Sequence, residues 1–202
     1  MPGTPGHTEQ ETKTKQKVLI AGVGNVLLGD DGFGVEVANR LMSHTEIPGW
    51  ANVIETGIGG MSLIQELMYG YEALIIIDAY ARGGTPGQLY FLEPVLPDLS
   101  DLAPSQLRDY FADTHYATPI RALSLLAQVA EPPQTLRILG CEPASLDDLK
   151  IGMSPDVEIA VGRAVGIVVN LLKNYPEQGL GVIEAQDVTQ ERQQWSPGAK
   201  GK

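Results

Sequence analysis

Sulfur chemistry is almost absent from this chain of 202 residues, which holds one cysteine, Cys141. No intramolecular disulfide can form, which fits a reducing compartment. Cys141 closes the apolar run Leu136 to Gly140, so burial as a small hydrophobe is a better reading than catalysis. No serine stands in a G-x-S-x-G elbow and no H-E-x-x-H pair occurs, which removes the standard serine nucleophile and the zinc-protease ligand set. Any hydrolysis must then use water. No run of about twenty apolar residues is available to cross a membrane, and the opening residues lack the apolar stretch of a secretory signal. A soluble, cytoplasmic protein is expected. Positive charge is scarce too: 14 Lys and Arg against 25 Asp and Glu leave a net charge of −11. That balance argues against nucleic acid and anionic membranes and favours a partner with basic surface.

With 43% hydrophobic residues, the chain can bury one core but is short for two domains. The apolar patterning predicts a single α/β domain over 17–175. Residues 1–16 and 176–202 are polar and rich in Gly, Pro, Gln and charge, and are expected to be disordered tails.

The densest information lies in Val18 to Gly34, VLIAGVGNVLLGDDGFG. An apolar strand runs into Gly22-Val23-Gly24-Asn25, where the chain can turn sharply, and Asp30-Asp31 then precede a helical pattern with Val35, Ala38 and Met42. A dinucleotide fingerprint G-x-G-x-x-G would need glycine where Leu27 stands, and the two aspartates would repel the phosphates. A nucleotide-binding enzyme is therefore the weaker reading.

Further strands are expected at Asn52 to Thr56, Ala73 to Asp78, Gln88 to Leu92 and Thr135 to Cys141. The fourth should lie near an edge or run antiparallel. A helix is expected from Met61 to Leu67. Two more are marked by Thr118-Pro119 and Ser154-Pro155, each an N-cap hydroxyl followed by proline at the first helical position. The second should reach about Asn174 and pack Val157, Val161, Val165, Val168 and Leu172 on the sheet. Glu93 to Tyr116 reads as loop or short helical turns. Alternating strands and helices imply a doubly wound, mostly parallel sheet in three layers, with helices on both faces. Such sheets bind ligands at the carboxyl ends of their strands.

At that edge the pattern places three carboxylates: Asp31 after the first strand, Glu55 at the end of the second and Asp78 closing the third. Singly, each could be a cap or a solvated side chain. Jointly they argue for a cation or for acid/base work. Of three histidines, His7 lies in the N-terminal tail and His44 follows the first helix, where it can answer the helix dipole. His115, just before Thr118, is a candidate ligand, although surface histidines are common. Two carboxylates and an imidazole suit a divalent ion such as nickel, zinc or iron. The Gly57-Ile58-Gly59-Gly60 stretch either lets a substrate backbone approach closely or is a plain strand-to-helix turn.

Taken together, GVGNVLLGDDGFG, ETGIGGM, LIIIDA, the loop histidine and LGCEPASLDDLKIGMSPDVEIAV resemble the nickel-iron hydrogenase maturation endopeptidases, in order and spacing, from Lys17 to Leu172. The resemblance implies a compact α/β endopeptidase that removes a C-terminal extension from a hydrogenase large-subunit precursor after nickel insertion. It implies Asp31, Asp78 and His115 as nickel-contacting and catalytic residues, with nickel supplied by the precursor; in that setting Gly57, Gly59 and Gly60 are the candidate substrate-approach loop, because they carry no side chains. Many relatives carry glutamate where Asp31 stands. The type of peptidase, aspartic or metallo, and the water-activating group stay open. A metal-sensing chaperone that binds the precursor without cutting it would use the same residues.

Overall fold

The computed structural model describes residues 17–58, 60–99, 101–106, 123–127, 131–146, 149–181, 183 and 188–194. Six strands form one sheet: β1 (Val18–Val23), β2 (Ala51–Gly57), β3 (Ala73–Ala79), β4 (Leu89–Val95), β5 (Thr135–Cys141) and β6 (Val188–Gln194). Their order is β2-β1-β3-β5-β4-β6. Every pairing is parallel except that of β4 with β5. The labelled helices are α1 (Phe33–Met42), α2 (Gly60–Leu67) and α3 (Pro155–Gln178).

Alternation along each strand divides the core into two layers, because successive side chains leave opposite faces of a sheet. In β3, Ala73, Ile75 and Ile77 join one layer with Phe33, Val37 and Leu41 of α1 and Val157, Val161 and Val168 of α3. Leu74 and Ile76 join the other with Leu63, Ile64 and Leu67 of α2 and with Leu123 and Leu126. Each fully buried Val, Leu or Ile contributes about 1.5–3 kcal/mol. Three layers result, with helices on both faces. Among the described residues no helix is long and apolar enough to cross a membrane.

Several boundaries differ from expectation. Met42 faces solvent and Leu41 turns inward instead, and Met61 is exposed while Leu63, Ile64 and Leu67 of α2 are buried as expected. α3 runs past Asn174 through Pro176 to Gln178, where Gly179 at φ 62° ends it and donates to the Tyr175 carbonyl. Part of the segment expected to be disordered is a strand: β6 pairs with β4, and Leu180, Ile183 and Val188 are buried. An edge strand is held by backbone hydrogen bonds along one side, so the sequence VTQERQQ needs little apolar periodicity to form one. β4 consequently lies inside the sheet and is antiparallel to β5. Its Pro94 falls beyond the residues paired with β5, where no donor is missed on that side. Residues 104–106 are helical, as one of the short turns expected between Glu93 and Tyr116. The tail 1–16 and the Thr118-Pro119 helix start lie outside the described residues.

Strand order reverses between β1 and β3, since the chain leaves β1 for β2 on one side and returns to β3 on the other. The crevice at the carboxyl ends of β1 and β3 is where such a fold binds ligands.

Candidate active site

The loop after β1 folds back on itself. Gly24 adopts φ 138°, where a side chain would be strained and its Cβ would collide with the Asp31 carbonyl oxygen. The Gly24 N–H donates to the Gly57 carbonyl at 3.0 Å, tying this loop to the end of β2. The Asn25 side-chain oxygen accepts the Leu27 N–H at 3.0 Å, closing a local turn. The Asn25 N–H then donates to Asp31 Oδ2 at 2.8 Å. A 3-10 turn, Gly29–Gly32, leads into α1. At Gly34 the first turn of α1 lies so close to the sheet that a Cβ would strike the carbonyl oxygens of Ile77 and Val23. Glycine there lets the helix start beside the end of β3, one residue from Asp78.

Asp31 and Asp78 lie on the two sides of the switch point, near enough for the charge of one to act on the other. Burial and then the negative charge of Asp31 push the Asp78 carboxyl up to about 8, against a lowering hydrogen bond from the Ala79 backbone. Burial raises Asp31 as well, opposed by the Asn25 N–H. Two carboxylates taken from water beside each other favour uptake of a proton or a cation. Their oxygen donors suit a divalent ion. Among the described residues no three His, Cys, Asp or Glu side chains are grouped to hold a metal. His115 lies outside the described residues.

The expected three-carboxylate cluster does not form. Glu55 is exposed on β2. By alternation it shares a face with Ala51 and Val53, whereas Asp78 shares one with Leu74 and Ile76, and those faces are opposite. Ending at the same sheet edge does not bring side chains together. Gly57 adopts φ 53°, Gly60 begins α2 and Ile58 is exposed. Gly59 lies outside the described residues.

Asp30, adjacent to Asp31, has a different task. It is 4% exposed and accepts the Ser154 N–H at 2.6 Å, the Ser154 hydroxyl at 2.9 Å and the Ala144 N–H at 2.8 Å. Neither aspartate caps α1, whose N-cap is Gly32 without a side-chain hydrogen bond. Ser154 occupies the N-cap position of α3, but its hydroxyl goes to Asp30 rather than to the helix. The late segment that carried no evident chemistry is thereby fastened to the site loop.

Comparison with known proteins decides the lineage of this arrangement. A profile described as hydrogenase maturation protease matches residues 35–171. The chain belongs to the hydrogenase maturation protease family. The hydrogenase 2 maturation protease of Escherichia coli strain K12 is 31% identical over 171 residues, covering 83% of this chain and 95% of that protein. Among solved structures, the hydrogenase maturating endopeptidase HybD from Escherichia coli superposes with a TM-score of 0.62 at 27% identity, covering 83% of this chain and 96% of that one. A hydrogenase 2 maturation peptidase from a Thaumarchaeota archaeon gives a TM-score of 0.55 at 29% identity, with coverage of 77% and 97%.

Members of this family are endopeptidases. The Cys141 thiol is buried and pushed up to about 12 by burial, so it is protonated at neutral pH and a poor nucleophile. One carboxylate escaped the sequence reading of this family member. Glu142, 4% exposed, directly follows β5 and accepts the Tyr90 hydroxyl at 2.6 Å and the backbone N–H groups of Arg82 and Gly83 at 3.0 Å. Although burial raises it, those donors and Gly84 hold its carboxyl below the ordinary range. It fixes the segment that leaves β3 just after Asp78. The rule that singled out Asp78, a carboxylate where a strand ends, applies equally to Glu142.

Proposed function

We propose that this protein is the endopeptidase that removes the C-terminal extension of a nickel-iron hydrogenase large-subunit precursor, and that it acts after nickel has been inserted. The observation that carries the reading is the pairing of Asp31 with Asp78 at the β1/β3 switch point, in a family of hydrogenase maturation proteases. In this reading nickel belongs to the substrate. The precursor presents its metal, and Asp31, Asp78 and His115 complete the coordination. When empty the site keeps a proton on Asp78; a cation replaces that proton and draws on both carboxylates, so a nickel-free precursor forfeits the electrostatic part of docking. Nickel held there positions the scissile segment, and metal-polarised water or a neighbouring carboxylate supplies the hydrolytic step.

The test is to mix the purified protein with nickel-loaded and nickel-free precursor and to weigh the precursor's C-terminal fragment by mass spectrometry. Loss of a peptide from the loaded form alone is expected, and His115→Ala should abolish it. Cleavage of both forms would remove the nickel gate. Nickel-dependent binding without a mass change would replace the peptidase by a metal-sensing chaperone.

A further inference from the structure

Four apolar side chains stand in solvent on two loops beside the carboxylate pair. Val26 and Leu27 are 53% and 54% exposed, and Leu149 and Ile151 are 84% and 85% exposed. Scattered single hydrophobes on a surface need no explanation, but grouped ones mark a binding face. These are grouped by backbone hydrogen bonds. The Lys150 N–H donates to the Leu27 carbonyl at 3.0 Å, and the Gly29 N–H to the Lys150 carbonyl at 2.7 Å, so Leu28 and Lys150 form a parallel bridge. Asp30 fastens the same two loops from below through Ala144 and Ser154. The apolar side chains are thus displayed on a braced platform, which lowers the ordering cost of binding.

We propose that this platform is the docking surface for an apolar patch on the body of the hydrogenase precursor, next to the metal that the precursor presents; this rests on the peptidase reading above. The loop that carries Leu27 continues into the turn that holds Asp31 four residues later, so in the peptidase reading the platform adjoins the place where the precursor's metal is received. A second copy of the chain is a poorer occupant, because each carries a net charge of −11 and would cover its own site. An anionic membrane is opposed by the same charge.

The test compares the wild type with Leu27→Ser and with the double variant Leu149→Ser, Ile151→Ser, by titrating purified nickel-loaded precursor and following cleavage. Tyr69→Ser is the control: Tyr69 is 82% exposed but precedes β3, at the opposite edge of the sheet. Both platform variants should raise Kd and KM about tenfold or more with kcat kept within about twofold, while Tyr69→Ser changes neither. Unaltered thermal unfolding will show that the folds are equivalent. Wild-type affinity in the platform variants, with cleavage intact, would overturn the docking surface and leave the peptidase reading standing. Tight wild-type binding that the variants lose, without cleavage by any form, would keep the surface and overturn the peptidase. Altered self-association with unchanged precursor affinity would assign the face to a second copy and overturn the proposal. No binding and no cleavage by the wild type would overturn both.

Discussion

The carboxylate of Asp30 holds both the backbone N–H and the hydroxyl of Ser154, a residue 124 positions further along the chain. Through that clamp the first turn of α3 and the loop carrying Asp31 become one unit. The neighbouring aspartate takes no part in that clamp; it accepts the Asn25 N–H, and its charge acts on Asp78.

Asp30→Ala should destabilise the protein by about 2–4 kcal/mol, because it strands buried donors from Ala144 and Ser154 that a carboxylate satisfied. Urea unfolding measures this. A midpoint unchanged from wild type would show that the clamp contributes nothing to stability.

Asp78→Asn should keep the fold and abolish processing, and it should also change how stability depends on pH. In the metal-free protein the Asp78 carboxyl is raised from 3.8 to about 8. The folded state therefore holds a proton that the unfolded state has lost between about pH 4 and pH 8. Stability conferred by this group is full below about pH 4 and is lost as pH rises through 8. Denaturation at pH 5 and at pH 8.5 should show the wild type losing more than the variant. Parallel pH profiles for the two proteins would contradict the assignment.

Gly34→Ala places a Cβ against the carbonyl oxygens of Ile77 and Val23. Neither atom is the far end of a flexible side chain, so α1 must move off the end of β3. A loss of about 1–3 kcal/mol is expected, together with reduced processing as Asp31 separates from Asp78. Thermal unfolding and the precursor assay read the two effects. A variant with wild-type melting would mean that the close approach is dispensable.

Val161→Asp tests the core rather than the site. Val161 is fully buried between α3 and the sheet, and an unpaired carboxylate there should cost more than about 3 kcal/mol. Circular dichroism melting should show it unfolding well below Asp78→Asn. Equal melting of the two variants would place α3 elsewhere.

What the sequence determined by itself was the part of the structure written in local patterns. Apolar runs bounded by glycine and acidic residues located β1, β3 and β5, and the Ser154-Pro155 pair marked the start of α3, because burial on both faces and helix entry each leave a signature within a few residues. Asp31 and Asp78 were visible for the same reason: they sit where strands end at the switch point of the sheet. Tertiary structure alone set the different partners of the two adjacent aspartates. Asp30 and Asp31 are chemically identical neighbours, separated only by donors arriving from residues 114 and 124 positions away. Glu55 was drawn into the site by its place at a strand end and excluded by which face it occupies. The Ser154 hydroxyl left its expected cap for a stronger acceptor, since a buried carboxylate attracts donors more than an exposed helix end does. β6 went unrecognised because an edge strand is made by backbone pairing with β4, and backbone groups are the same at every residue.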